Sequence, residues 1–565
     1  MNKVFCALFA TLFFASLAHA QNVVPSILST TDIQNYRSIF AAQENGNLSK
    51  ANDLIVALSD RSLLGYVMHQ RYMGRHYITK FQELQVWLSE YSDHFEANRI
   101  YNLALRKKSD GMGNPRSPTR LRWRGERFEQ EEIVTADLNS NRGKRAMLQL
   151  RNLAGKDDPM EAENVVKQLS LLSNLPQGDV DQLYSYTASA YLAQGLDRDA
   201  LRVAKAQLLK GSSAAVRLNW TAGLAAYRMG DFTSAAHSFE YMSLLSSDSP
   251  RDKSTGAFWA ARANMRIGNP ASVLALYETA GESDFTFYGT LATRVIGQDL
   301  TIAFEEPKLD QYSYLRLVEN DAIRRAIALW QIGRQDAVEG ELERAFGETN
   351  SSLDPAFAAL ARILGAPRIE LRAAETAARR GIFLTSLYPI PPYEPQGGYS
   401  LNQALVLAIA RQESRFNPEA ISHAGARGLM QIMPTTAAYI TKDPSLARGN
   451  RDRLNDPSYS MRLGEDYLID LLDQQNGNLF ALTAAYNAGL GNLSRWLERQ
   501  EGNNDPILFI ESLPSPETRD YVKRVMVNMW MYQKVFGNSL IGMDEAASGN
   551  WPIFRLHEEL VSDGQ

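Results

Sequence analysis

One carboxylate in this chain, Glu413, stands where a proton donor could act. Leu401, Leu405 and Ile409 recur every fourth residue before it, and Glu413 is the next member of that row. The spacing predicts that Glu413 lies on an apolar helix face. Because apolar surroundings disfavour the charged form, the pKa of Glu413 should be raised. A carboxylic acid held protonated near neutral pH can protonate a leaving group as a general acid.

The helix that carries Glu413 has start and stop signals in the sequence. Ser400 followed by Gln403 predicts a capping box at its start. Pro418 disfavours helical backbone before it, so the helix should end by about Phe416. Glu413 then lies near the negative end of the helix dipole, which also favours its neutral form.

A glycine-containing segment follows the helix. A lone glutamate at a helix end is usually a solvated surface residue, and this segment favours the catalytic interpretation instead. Gly425 and Gly428 permit a backbone to approach a ligand closely. Residues 429–433 supply an apolar and adaptable lining, with Gln431 as the polar exception.

Three motifs follow one another over about 110 residues. Residues 413–434 fit the pattern E-S-x-F-x-P-x-A-x-S-x-x-G-A-x-G-L-M-Q-I-M-P. A-Y-N-A-G stands at 485–489 and E-T-R-x-Y-V at 517–522. Together they resemble the goose-lysozyme-like catalytic domain of the family 1 lytic transglycosylases, enzymes that cleave bacterial peptidoglycan.

The resemblance implies a reaction. Most glycosidases need two carboxylates, and the segment around Glu413 offers no obvious second one. The family cleaves the β-1,4 bond between N-acetylmuramic acid and N-acetylglucosamine and forms a 1,6-anhydromuramic acid end without water. Glu413 would first protonate the glycosidic oxygen and then take the proton of the C6 hydroxyl, while the 2-acetamido oxygen stabilises C1. The substrate would be a peptidoglycan glycan strand, with no cofactor and no metal.

The resemblance also implies a set of substrate-binding residues. Gln431 has two donors and an acceptor to orient a sugar. Tyr486 would place its hydroxyl beside Glu413 or the acetamido group, or is a core aromatic. Glu517 would be a supporting group or substrate contact, with an ion pair to Arg519 as the alternative. The expected binding residues are Ser422, Gln431, Met433, Tyr486, Asn487 and Glu517.

Alanine- and leucine-rich repeats occupy much of the chain before the motifs. Gly195, Gly230 and Gly268 are spaced 35 and 38 residues apart. Each should end one helix before the next begins, as in a helix-pair solenoid. We therefore predict an all-α protein with a superhelical domain at 21–300, which could close into a ring. A helical linker domain at 301–385 and a lysozyme-like catalytic domain at 386–565 follow it.

Residues 1–20 are typical of a secretory signal peptide, which predicts a periplasmic protein. They contain Cys6, the single cysteine, so no disulfide is expected after cleavage. No later run reaches transmembrane length, so we expect no stable membrane insertion. The net charge of −5 is too mild to indicate a nucleic-acid partner. The basic residues between Lys107 and Arg127 are interpreted as a solvated loop, with contact to anionic stem peptides as the alternative.

Two other functions remain open at this stage. The first is a muramidase that uses water and leaves a reducing end. The second is a non-catalytic scaffold whose helical array recruits partners such as other cell-wall enzymes, and the intact motif residues argue against it.

Overall fold

The computed structural model describes residues 24–122, 124, 138–154, 158–172, 175–499 and 504–555. The predicted signal peptide with Cys6, and part of the basic segment including Trp123, lie outside these residues. Within them the regular secondary structure is helical and β-contacts are isolated bridges, so the all-α prediction is confirmed. None of the described helices combines the length and the apolar character needed to cross a bilayer.

The chain forms two compact units, and the first takes the described residues of Met1–Gly125 and Pro307–Ala374. Its core includes Trp87 and Leu84, which are almost fully buried. Glu341 lies at 0 % exposure, where Arg325 donates to it at 2.9 Å. The helices of this unit are α1 Thr30–Glu44, α2 Leu48–Val56, α3 Leu64–Met73, α4 Phe81–Tyr91, α5 Ala97–Lys107, α15 Gln311–Leu317, α16 Asp321–Ile332, α17 Gln335–Glu348, α18 Asp354–Ile363 and most of α19 Pro367–Ala378, with a 3-10 helix at Ser351–Leu353.

The second unit takes the described residues of Glu126–Glu306 and Glu375–Gln565, and it contains all three motifs. Its first stretch of helices is α6 Asn141–Ala154, α7 Pro159–Leu172, α8 Gln177–Ala193, α9 Asp197–Leu208, α10 Ala215–Arg228, α11 Phe232–Leu245, α12 Pro250–Arg266, α13 Pro270–Gly281 and α14 Phe287–Val295. We call this stretch the helical array. The motif-bearing stretch holds α20 Gln403–Ser414, α21 Pro434–Thr441, α22 Pro457–Gln474, α23 Leu479–Ala488, α24 Leu490–Arg499, α25 Pro506–Ser512, α26 Pro516–Phe536 and α27 Met543–Ala547, with 3-10 helices at Thr385–Leu387, Pro444–Ala447 and Arg451–Asn455.

The repeat glycines end helices as predicted. Gly195, Gly230 and Gly268 follow the C-caps of α8, α10 and α12, each with a φ between 73° and 79°. Such left-handed backbone is accessible to glycine at little cost, so the chain can reverse into the next helix. Trp259 of α12 is 0 % exposed, whereas Trp330 of α16 is 38 % exposed.

The helical array packs directly on the motif-bearing helices within this unit. Phe287 of α14 stacks on Trp530 of α26, with ring centroids 5.8 Å apart and planes within 17°. Next to this stack, Tyr288 donates to the buried carboxylate of Glu511, which also accepts from Lys523 at 2.8 Å. These contacts fix α26 against the helical array. The structure divides the chain into two compact units. The three domains expected at 21–300, 301–385 and 386–565 therefore remain a prediction.

Candidate active site

Glu413 lies in the last turn of α20, and the helix itself is anchored in the core. Its residues 404–410 are almost completely buried. The N-cap is Asn402, whose side chain accepts from the N–H of Leu405 at 3.2 Å. The predicted capping box is therefore wrong, because Ser400 Oγ accepts from Arg462 at 2.8 Å instead of capping the helix.

The chain turns sharply just after Glu413. Arg415 and Phe416 both have left-handed backbone, with φ of 53° and 64°. Such a conformation is costly for residues with a Cβ, so surrounding contacts must hold it. Phe416 is 0 % exposed, and Arg415 is ion-paired with the buried Glu375. The helix thus ends at Ser414, within the limit that Pro418 predicts.

The loop after α20 is held by the side chains of Ser422 and Gln431, which the sequence analysis predicted to bind substrate. Ser422 Oγ accepts from the N–H of Ala426 at 3.0 Å. Gln431 Nε2 donates to the carbonyls of Ala420 at 3.0 Å and Gly428 at 2.9 Å. The amide donors of Gln431 therefore fix the loop, and its Oε1 is the atom left to orient a sugar. Met433 precedes α21 and is 36 % exposed.

The two glycines of this loop have different environments. A Cβ on Gly428, whose φ is 73°, would stand 1.9 Å from the carbonyl oxygen of Leu454. Gly428 is therefore required by the protein's own packing, which corrects the prediction that it serves a ligand. Gly425 also has positive φ, at 92°, but a Cβ there would meet no described heavy atom within 4 Å. A ligand can approach the backbone at Gly425.

Tyr521 of α26 contacts the acid directly. Its hydroxyl donates to Glu413 Oε1 at 2.6 Å, and its side chain is 5 % exposed. Burial raises the pKa of Glu413 from 4.5 to about 7, the Tyr521 hydrogen bond opposes that rise, and the negative charge of Glu517 adds to it. A carboxyl with this pKa exists in both protonation states near neutral pH, as a group that donates and retrieves one proton requires.

Tyr486 and Asn487 of α23 support this arrangement. The hydroxyl of Tyr486 donates to the carbonyl of Met430 at 2.8 Å, and its ring stacks on Tyr521 with centroids 6.5 Å apart. Asn487 Oδ1 accepts from the hydroxyl of Thr518 at 2.7 Å. Tyr521, rather than Tyr486, is thus the hydroxyl bonded to Glu413, and α23 is tied to the first turn of α26.

Glu517 is the second carboxylate of the site. It is exposed in the first turn of α26 and lies near enough to Glu413 to raise the pKa of that acid. The alternative ion pair with Arg519 is not formed in the described structure, because Arg519 donates to the Leu513 carbonyl at 2.6 Å and lies 3.8 Å from Glu511. Glu517 is therefore not held by Arg519 in the described structure and is exposed to solvent.

Sequence reasoning missed Tyr521. It stands in the third motif four residues after Glu517, so both lie on one helix face. That spacing was the available signal, since the resemblance already implied that Glu517 is a supporting group or substrate contact. The signal does not say which of the two residues reaches Glu413, because this depends on how α26 packs against α20.

Comparisons with known proteins place residues 393–509 in the family described as "Transglycosylase SLT domain". The soluble lytic murein transglycosylase of Escherichia coli (strain K12) is 40 % identical over 142 residues, and that of Salmonella typhimurium is 41 % identical over the same length. Each match covers 25 % of this chain and 22 % of the relative, so it spans about a fifth of those proteins.

Solved structures extend the similarity of the fold beyond that region. An inactive mutant of the lytic transglycosylase Slt from Pseudomonas aeruginosa has a TM-score of 0.57 at 21 % identity, over 94 % of this chain and 75 % of its own. The 70 kDa soluble lytic transglycosylase of Escherichia coli has a TM-score of 0.56 at 18 % identity, over 93 % and 99 %. The motifs, the site around Glu413 and the matched residues lead to one assignment: residues 393–509 of this chain carry a transglycosylase SLT domain, similar to that of the soluble lytic murein transglycosylases.

Proposed function

We propose that this protein is a periplasmic peptidoglycan lytic transglycosylase, with Glu413 as its single acid and base. It cleaves the β-1,4 bond between N-acetylmuramic acid and N-acetylglucosamine and leaves a 1,6-anhydromuramic acid end. The observation that carries this proposal is the hydrogen bond of Tyr521 to a glutamic acid whose pKa burial raises to about 7.

In the first step Glu413 is protonated and donates its proton to the glycosidic oxygen. The bond between C1 and that oxygen breaks, and the leaving sugar departs with the proton. Positive charge develops at C1, and the 2-acetamido oxygen of the substrate stabilises it. Tyr521 then favours the new carboxylate, because its hydroxyl donates to Glu413 Oε1.

In the second step the ionised Glu413 takes the proton of the C6 hydroxyl as that oxygen bonds to C1. The acid is thereby returned to its protonated form. Since the C6 hydroxyl belongs to the same sugar, its effective concentration can far exceed that of a loosely held water. Atoms balance without any added water, which is why the product end is an anhydro sugar.

The binding residues support this chemistry in two ways. Gln431 Oε1, Met433 and the open backbone at Gly425 are available to a sugar ring. Ser422 acts by holding the loop, and Tyr486 and Asn487 by supporting Tyr521 and the first turn of α26. The helical array, packed on α26, would hold the glycan strand near the site.

A hydrolytic muramidase is the second candidate, and one observation favours it. Glu517 is an exposed carboxylate beside Glu413, and an inverting hydrolase needs a second carboxylate to activate water. In the transglycosylase the same group would instead contact substrate and keep Glu413 protonated.

Product analysis in water enriched in heavy oxygen tests the proposal. Purified full-length protein should release muramic ends that carry no label and resist borohydride reduction. The Glu413→Gln variant is the matched control and should release no product, since an amide cannot donate and retrieve the proton. Labelled, reducible ends as the main product would instead establish a hydrolase.

A further inference from the structure

A second cavity lies behind the catalytic helices, within the same compact unit. It has a volume of about 540 Å³ and is lined by α12, the segment from the end of α13 to the start of α14, residues 301–303, and one face each of α20 and α26. That volume is within the range of small-molecule sites. Arg411 of α20 lines this cavity and Glu413 does not. Side chains two positions apart on a helix point to nearly opposite faces, so the cavity and the acid lie on different sides of α20.

One wall of the cavity is apolar and partly open. The rings of Phe285 and Phe383 lie 4.9 Å apart, and both side chains are only half-buried. Ile302 and Val527 continue this wall at 8 % and 7 % exposure. The wall offers an aromatic and aliphatic surface to the body of a ligand.

Asn528 is one of several buried polar residues that line the cavity, and it is 3 % exposed. Its Oδ1 accepts from Arg411 Nη1 at 2.8 Å. Because a guanidinium can only donate, this contact fixes which end of the amide is oxygen. The nitrogen Nδ2 then has no partner among the described residues, and an unused donor at such depth is costly. An acceptor atom of a ligand would satisfy it.

Arg524 supplies a cation on the same helix face. Its Nη2 lies 3.4 Å from Asp520 Oδ2, a long contact, and its side chain is 25 % exposed. Asp520 is also ion-paired with Arg251, so Arg524 shares that carboxylate and keeps further donors. Asn528 and Arg524 are four residues apart on α26, so both donors serve the same side of the cavity.

We propose that this cavity binds a small molecule with one carboxylate on an aromatic or aliphatic body. The carboxylate accepts from Arg524 and from Asn528 Nδ2, and the body lies on the Phe285 and Phe383 rings. The two donors match two carboxylate oxygens, and the apolar wall removes the body from water. The site is separate from the one that cleaves glycan, and its occupancy does not depend on the reaction proposed for Glu413.

Calorimetric titration of the full-length protein with 4-phenylbutyrate and with decanoate tests the proposal. The uncharged 4-phenylbutanamide is the matched ligand control. We expect one saturable site of sub-millimolar dissociation constant for at least one acid, and about ten-fold weaker binding of the amide. Arg524→Gln should weaken the acid about ten-fold, to the level of the amide. Ala303→Trp, at an exposed lining position, should abolish binding by filling the cavity mouth.

Two further variants serve as controls. Arg316→Gln removes an exposed arginine paired only with Glu319 in the described structure, and Glu413→Gln removes the acid of the first site. Both should bind the acid as the unmodified protein does. Absence of saturable binding of either acid would overturn the proposal, and so would equal affinity for acid and amide. Unchanged binding to a folded Arg524→Gln or Ala303→Trp protein would place the ligand elsewhere and overturn it as well.

Discussion

Replacing Glu413 with glutamine should make the protein more stable at alkaline pH while removing its activity. The native fold favours the neutral form of this carboxyl, whose pKa is raised from 4.5 to about 7 by burial. Stability from the retained proton is fully present below pH 4.5 and is lost as pH rises to about 7. Glutamine cannot ionise, and its Oε1 can still accept from Tyr521, so the variant avoids this loss.

The size of the effect follows from the pKa. A rise from 4.5 to about 7 corresponds, at about 1.4 kcal/mol per pH unit, to roughly 3 kcal/mol of unfolding free energy. The advantage of Glu413→Gln should therefore increase by roughly 3 kcal/mol between pH 4.5 and pH 8. In a chain of this size that is a change of a few degrees in the melting temperature, since the shift per kcal/mol shrinks with length.

Thermal unfolding of the full chain at several pH values is the assay, with the difference in melting temperature between variant and wild type as the readout. Glu419→Gln is the matched control, because Glu419 is an exposed glutamate of the same segment and accepts from Asn455 at 3.0 Å. The pH dependence of the Glu413→Gln difference is judged against that of this control. A pH-independent difference for Glu413→Gln would refute the raised pKa, and with it the argument for the acid.

Four other substitutions give separate tests. Tyr521→Phe removes the donor that favours the carboxylate, so the alkaline limb of kcat/KM should move to higher pH and the maximum rate should fall by about ten-fold or more. Glu517→Gln should move that limb to lower pH, because it removes the charge that raises the pKa of Glu413; an unmoved limb would contradict the coupling. Gly428→Ala should cost about 2–4 kcal/mol of stability through contact with a carbonyl and strain at positive φ, as seen by thermal unfolding. Phe287→Ala should cost about 3–5 kcal/mol and shift tryptophan fluorescence to longer wavelength, because the buried Trp530 loses its stacking partner.

The sequence predicted α20 well because its signal is local. The row of apolar residues ending at Glu413 requires only helical spacing, and the structure buries Leu405 and Ile409 completely. The helix start was mispredicted for a nonlocal reason. Ser400 donates its N–H to Glu465, which is 65 residues further along the chain, and Asn402 takes the cap instead.

The side chains of the site were predicted less completely than its backbone. Gln431 was expected to offer its amide to sugar, but loop closure uses both donors. No pattern of residue types in the sequence indicates that the carbonyls of Ala420 and Gly428 will face the Gln431 side chain. Tyr521 was missed for a similar reason, since its contact with Glu413 joins residues 108 positions apart.

The length of α26 has a consequence for building chimaeric enzymes. This single helix of 21 residues holds Tyr521 against the acid near one end and Trp530 against the array farther along. The family match ends at residue 509, before the helix begins. A graft that follows the matched boundary would leave the hydroxyl partner of Glu413 behind. A graft that includes α26 would carry a tryptophan selected to fit Phe287, so the recipient scaffold must offer an aromatic ring at that place.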